Sequence, residues 1–220
     1  MKSVYKIGGM PNGVIAFYTL DANGAATFVR KVAVGALPDG VAFSPNGKYL
    51  VVANEGETDG SKGVVASDAE GSISIIAITD GLPATSATTL LFTDFNTGGS
   101  RASELPAGVR KVRQAATFSE DVEPEYVTIS DDSKTAFVTL QEANAVAMVD
   151  LATARISKIS ALGVKDFGQS KNKLWTNDRY TDCAEATVCP PPTLKTTPIF
   201  LATTCPMEWP ASPLRGKPIF

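Results

Sequence analysis

Apolar residues along the chain fall into short runs of about four to eight, alternating or continuous, and Gly, Asn, Asp and Pro interrupt them. That is the pattern of strands joined by tight turns, not of long helices. Val14 to Tyr18 predicts a strand, Asp21-Ala22-Asn23-Gly24 a turn, and Ala26 to Val34 an antiparallel partner. Gly35 to Gly40 crosses into a fuller unit, with strands predicted at Gly40–Ser44, Tyr49–Asn54, Ser72–Ile78 and Thr88–Phe92. Between the second and third of these, Glu55 to Gly71 is rich in Gly, Asp and Ser and reads as a surface loop able to carry binding groups. Thr93 to Val122 breaks the rhythm, and its weakly patterned stretch Ser103 to Val112 suits a short helical turn or an irregular excursion. Strands resume at Tyr126–Ser130, Thr135–Leu140, Ala145–Asp150 and Arg155–Ile159, the last two joined by a turn at Asp150-Leu151-Ala152-Thr153-Ala154.

One device is written twice. Leu37-Pro38-Asp39-Gly40 leads into Val41-Ala42-Phe43-Ser44, a turn at Pro45-Asn46-Gly47-Lys48, and a second apolar run from Tyr49. At an offset of 86 residues, Glu123-Pro124-Glu125-Tyr126 leads into Val127-Thr128-Ile129-Ser130, a turn at Asp131-Asp132-Ser133-Lys134, and the run from Thr135. A partial third copy of the entry turn follows at Val164-Lys165-Asp166. A lone hairpin cannot bury its apolar face, so repeated copies imply stacking around a shared core. Units of about 41 residues and about four strands fit a propeller blade. The expected fold is all-β: a partial β-propeller of about two and a half four-stranded blades.

After about Phe167 the alternation ends, and the chain becomes rich in Pro and Thr, with Pro190-Pro191-Pro192 as its densest stretch. Proline removes ladder donors, so no further blade is readable there. The expected division is a propeller body over residues 1–167 and an irregular tail over 168–220, read either as disordered or as aberrant sequence, for instance after a frameshift.

Composition narrows the chemistry. At 220 residues, 44% hydrophobic and 20% charged, the chain resembles an ordinary globular protein. A net charge of -3 without a basic cluster argues against a nucleic-acid partner. Met1-Lys2-Ser3-Val4 runs into a glycine turn, so no signal peptide and no membrane span is readable. Histidine is absent, which removes His-based zinc sites and His-mediated general-base chemistry and leaves carboxylates, lysines and hydroxyls. Cys183, Cys189 and Cys205, odd in number and widely spaced, form neither a disulfide framework nor a zinc pattern. Gly8-Gly9 and Gly98-Gly99 lack the strand–loop–helix setting of a phosphate cradle. Ser44 and Ser130 have no base beside them in the pattern. Arg101, Arg110, Lys111 and Arg113 read as solvating the irregular insertion, with an anion-binding complement to an acidic rim as the alternative.

In a propeller, inner strands start at one end of the channel, and the loops joining second to third strands open on that same end. Asp39, Glu125 and Asp166 would then hold equivalent places, with Glu55 and Glu57 from one loop, Gln141, Glu142 and Asn144 from another, and Glu123 nearby. Such a ring of carboxylates and amides is a candidate hard-cation site, because calcium and magnesium take oxygen ligands. The candidate metal set is Asp39, Glu55, Glu57, Glu123, Glu125 and Asp166, with Ca2+ or Mg2+ as the candidate cofactor. The plainer alternative is that these are ordinary solvated turn residues.

The runs Gly35 to Lys48 and Leu50 to Glu57 resemble the choice-of-anchor I family, as do Glu70 to Ile76, Asp121 to Tyr126 and Val138 to Ala145. The motifs keep their order over about residues 5–167. Members are labelled mesenchyme-specific cell surface glycoprotein-like or alkaline-phosphatase-like. The resemblance implies a secreted or surface-attached propeller of the YVTN/WD40-like group, with the family's acidic motifs falling on Glu55, Glu57, Glu123, Glu125 and Asp166. Where members continue into further blades, this chain has Phe167-Gly168-Gln169 and then unrelated sequence.

Two functional classes remain in view, and whether the chain is an enzyme stays open. The first is a noncatalytic extracellular or cell-surface fragment that binds a protein or glycan, with self-association through open blade edges. The second is a metal-dependent phosphoric-ester hydrolase, phosphatase-like or phytase-like, working at the acidic rim.

Overall fold

A computed structural model of the chain describes residues 12–56 and 69–164. The chain divides into two compact units, Met1–Val164 and Lys165–Phe220, and all described residues belong to the first. The tail expected over 168–220, its cysteines, the extreme N-terminus, Glu57 and Asp166 lie outside the described residues.

Among the described residues eleven strands form, in chain order β1 Asn12–Leu20, β2 Ala26–Ala36, β3 Pro38–Phe43, β4 Tyr49–Asn54, β5 Ser72–Thr79, β6 Leu82–Pro83, β7 Thr88–Leu91, β8 Pro124–Ile129, β9 Thr135–Leu140, β10 Ala145–Asp150 and β11 Arg155–Ala161. They make three sheets: the hairpin β1–β2, a first blade β3-β4-β5 with β7 and the short β6 both on β5, and a second blade β8-β9-β10-β11. All pairings are antiparallel. This is the all-β partial propeller the repeats predict. Strands β3 and β8 start two residues before the predicted Gly40 and Tyr126, because Pro38 and Pro124 already face partners, Asn54 and Leu140. Both end one residue early, since Ser44 and Ser130 turn inward to build the following turn.

The two blades repeat each other in hydrogen bonding as well as in sequence. Val41 faces Val52 and Phe43 faces Leu50; 86 residues later Val127 faces Val138 and Ile129 faces Ala136. In the first turn the Ser44 hydroxyl donates to Asn46 Oδ1 at 2.8 Å, which also accepts from the Lys48 amide at 3.0 Å. In the second the Ser130 hydroxyl donates to Asp132 Oδ1 at 2.7 Å, which accepts from the Lys134 amide at 3.0 Å. Both turns need a left-handed residue, met by Gly47 at φ 69° and by Ser133 at φ 58°. The turns also touch, with the Asn46 amide donating to Ser133 Oγ at 3.0 Å. The blades are therefore stacked in phase.

Two apolar layers hold the stack. Ile15, Phe17, Val32 and Val34 of the hairpin pack with Leu50, Val52 and Ile76 of the first blade. Val51, Ala53, Ile73 and Ile75, on the opposite face of that blade, share a core with Ala136, Val138, Ala145, Ala147 and Val149 of the second. Because both faces of the first blade are covered, β4 reads as a continuous apolar run.

The insertion between β7 and β8 folds as two 3-10 turns, Thr93–Phe95 and Ala102–Glu104, and one helical turn, Phe118–Asp121. Phe92, Phe95 and Phe118 meet ring to ring, with centroids 6.2 to 6.5 Å apart. Thr117 caps the helical turn in a reciprocal box with Glu120, whose carboxylate accepts from the Thr117 amide at 2.7 Å. Among the described residues no helix is long and apolar enough to cross a membrane.

Candidate functional site

The entry turns set the geometry of the rim. Asp39 and Glu125 are each the second residue of an inner strand, β3 and β8, and follow the buried prolines Pro38 and Pro124. Each ladder is irregular just there, between Pro38 and Val41 and between Pro124 and Val127, so the bulge re-aims the same two residues in both blades. β3 runs beside β8, and a Cβ on Gly40 would fall inside the van der Waals shell of the Glu125 carbonyl oxygen. Asp39-Gly40 and Glu125-Tyr126 thus abut on one edge. Gly71, leading into β5, approaches Val122 and Pro124 as closely, which brings Glu123 to the same edge.

The loops expected at this end are tied to the entry turns by backbone bonds. The Glu55 amide donates to Leu37 O at 2.9 Å and the Gly56 amide to Ala36 O at 3.2 Å. In the second blade, the Asn144 amide donates to Gln141 O at 3.0 Å, and Asn144 Nδ2 donates to Gly163 O at 2.8 Å. The chain leaving β11 therefore returns to the edge from which β8 started. Arg110 holds the β9–β10 loop from outside, its amide donating to Ala143 O at 2.8 Å and its Nε to Glu142 O at 2.9 Å.

Of the six acidic residues singled out by sequence, Asp39, Glu55, Glu123 and Glu125 are described, and all are half-buried. Glu57 and Asp166 lie outside the described residues. Among the described residues no group of three or more acidic or other metal-binding side chains is placed to hold an ion. The four described carboxylates therefore do not make a cation site by themselves. Two buried oxygens at this end nevertheless have no hydrogen-bond partner among the described residues, Asn54 Oδ1 and Glu142 Oε2. Asn54 is fully buried, and its Nδ2 donates to Ser72 Oγ at 3.2 Å and Ser74 Oγ at 3.0 Å.

Four carboxyls, in turns, a cap and a clamp, have pKa values below the usual range. The Arg101 side chain holds Glu104 below the usual carboxylate range, and the Thr117 amide and hydroxyl do the same for Glu120. The Ser130 hydroxyl lowers Asp132, and the Thr153 amide lowers Asp150.

The basic residues of the insertion have definite partners. Arg101 donates to Ile156 O at 2.7 Å, pairs with Glu104 and lies 4.4 Å from the Phe95 ring centroid. Arg113 pairs with the buried Asp121 at 3.1 Å, whose carboxylate also accepts the Val112 and Arg113 amides at 2.6 and 2.8 Å. Sequence reasoning missed Asp121 as the anchor of this segment and Asn54 as a buried polar group. The Thr117-x-x-Glu120 spacing was the readable signal for the helical turn beside Asp121.

Similarity to solved structures is low. The hydrazine synthase of Kuenenia stuttgartiensis is 15% identical with a TM-score of 0.40, over 67% of this chain and 36% of that one. A luciferin-regenerating enzyme is 12% identical with a TM-score of 0.39, over 70% and 38%. The periplasmic gluconolactonase of Pseudomonas aeruginosa is 16% identical with a TM-score of 0.29, over 71% and 51%. The chain thus spans between 36% and 51% of these proteins. No curated protein matches the sequence. The choice-of-anchor I domain matches residues 3–188, a span that includes both blades, the hairpin and every acidic residue of the rim. With most of its length inside that match, the chain belongs to the choice-of-anchor I family.

Proposed function

We propose that the chain is a noncatalytic propeller segment that works outside the cell or at its surface and binds a protein or glycan through the edge where its entry turns gather. The observation that carries this reading is the abutment of Asp39-Gly40 on Glu125-Tyr126. It sets half-buried carboxylates from two blades beside Tyr126, which is 61% exposed. Carboxylates accept hydrogen bonds from sugar hydroxyls or peptide amides, and an exposed tyrosine adds an apolar ring with a polar tip. Backbone bonds brace the same edge, so little ordering is needed on binding. Membership of a choice-of-anchor family supports the surface or secreted setting.

One observation favours a second reading. Asn54 Oδ1 and Glu142 Oε2 are buried acceptors without donors among the described residues, and a Ca2+ or Mg2+ ion would satisfy such oxygens. On that reading the rim is the metal site of a phosphoric-ester hydrolase. It requires Glu57 and Asp166 in addition to the described carboxylates, since those four do not assemble a site by themselves.

Two measurements decide between them. The wild-type chain and the variants Tyr126→Ala and Glu125→Gln are screened on a glycan array and an extracellular-protein array. An aryl phosphate is then assayed with Ca2+, with Mg2+ and with chelator. The binding reading expects a retained ligand that both variants lose, and no chelator-sensitive turnover. Metal-dependent turnover that disappears in Glu123→Gln and Glu125→Gln replaces it with the hydrolase reading.

A further inference from the structure

Every sheet in this stack has two faces, and the strand register assigns each residue to one of them. In the first blade Leu50, Val52 and Ile76 face the hairpin, while Val51, Ala53, Ile73 and Ile75 face the second blade. The second blade divides the same way. Ala136, Val138, Ala147 and Val149 are fully buried against the first blade.

Its other face has equivalents for each buried residue one blade earlier. Thr135–Leu140 repeats Tyr49–Asn54, and Ala145 opposite Leu140 repeats Ser72 opposite Asn54. Phe137, Thr139, Val146 and Met148 therefore stand where Val51, Ala53, Ile73 and Ile75 stand in the first blade. The first-blade set is 0% exposed at three positions and 5% at Ile75. The second-blade set is only half-buried and belongs to neither hydrophobic cluster. Three of its four residues are still large and apolar, so this is the face of a blade that expects a neighbour.

At the opposite end of the stack the hairpin also presents apolar side chains that no described residue covers. Tyr18 and Phe28 face each other across the hairpin, stack edge to face at 5.6 Å, and are 38% and 51% exposed. Each contact already present sets one sheet's far face against the near face of the next. We propose that the Phe137–Met148 face of the second blade docks the Tyr18–Phe28 face of the hairpin of a second copy of this chain. The stack then continues from one molecule into the next by the contact it already uses twice. The joining surface is a sheet face, distinct from the open strand edges that the sequence suggested. The contact is head-to-tail and heterologous, and it holds whatever the rim binds.

Sedimentation velocity on the full chain over a concentration series tests this. Wild type is expected to associate as concentration rises. Phe28→Glu blocks one end and Met148→Glu the other, and each raises the concentration of half-association about a hundredfold. Because Met148 is half-buried, Thr139→Lys is the second block on that face, and circular dichroism checks that each variant is folded. An equimolar mixture of Phe28→Glu and Met148→Glu keeps one intact surface of each kind and is expected to form a dimer that grows no further. A wild-type chain that stays monomeric throughout overturns the proposal. So does a folded Phe28→Glu that associates like wild type, which would mean that the hairpin face is not used.

Discussion

β4 and β9 occupy the same place in their blades, have the same length and follow turns with the same hydrogen bonds, yet they are buried differently. In Tyr49–Asn54 every residue after Tyr49 is buried. In Thr135–Leu140 burial alternates, with Ala136, Val138 and Leu140 buried and Thr135, Phe137 and Thr139 half-buried. The difference lies in the neighbours. Among the described residues, the first blade has an apolar layer on each side and the second has one on a single side. Continuous apolar sequence thus records a sheet covered on both faces, and alternation records a sheet covered on one. Thr139 in place of Ala53 is that difference at a single position.

The largest expected effect tests whether the blades abut as described. Gly40→Val would drive a side chain into the Glu125 backbone, and its cost should be about 3 kcal/mol. Gly47 also has a left-handed φ, but a Cβ there meets nothing within 4 Å. The second blade already has Ser133 at the equivalent turn position, so Gly47→Ser should cost about 1 kcal/mol. Urea denaturation measures both. Equal costs would mean that β3 and β8 do not approach each other this closely.

Next in size is the contrast between the far faces. Ile73 is fully buried and its equivalent Val146 is half-buried. Ile73→Ala is expected to lose about 3 kcal/mol and Val146→Ala about 1 kcal/mol, measured at concentrations low enough to keep the chain monomeric. A Val146→Ala cost as large as that of Ile73→Ala would show that the second blade is covered within the single chain.

The blades were legible because their determinants are local: alternation, turn residues and a repeated hairpin all lie within a few positions. The register followed as well, since the 86-residue offset carried Val41–Val52 onto Val127–Val138. The insertion was legible as a break in the rhythm, but its buried polar contacts were not. Asp121 owes its burial to Val112 and Arg113, and Asn54 to Ser72 and Ser74, partners that no periodic pattern announces. For the rim, sequence phase brought Asp39 and Glu125 to one edge. Side-chain distances between carboxylates depend on the bulge geometry, which phase does not determine.

A third prediction asks whether the insertion supports one blade more than the other. Its Arg110 and Arg101 donate to Glu142 O and Ile156 O, both in the second blade. Asp121→Ala removes the acceptor for two amides and for Arg113, at a cost of about 2 kcal/mol. Hydrogen exchange should then rise in the β9–β10 loop and β11 while β4 stays protected. Uniform acceleration across both blades would mean that the insertion braces the stack as a whole.

The smallest effect separates the two turns. Asn46 and Asp132 accept the same pair of hydrogen bonds, but only Asp132 titrates. Its pKa is held below the ordinary 3.8, first by the Ser130 hydroxyl, then by the Lys134 amide and charge. A carboxyl whose pKa is lower folded than unfolded stabilises the fold above its unfolded pKa, and that contribution fades as pH falls through the folded value. Asn46 contributes equally at every pH. Asp132→Asn should therefore give the second blade the turn of the first and remove this group's part of the acid sensitivity. The stability difference between wild type and Asp132→Asn should hold steady from neutral pH to about pH 5, then shift against wild type toward about pH 2. Because Asp132 is exposed, salt should shrink the Lys134 contribution and leave the two hydrogen bonds. A difference that is flat over the whole range would show that the carboxylate gains nothing over the amide, and that the two turns are equivalent in energy as well as in shape.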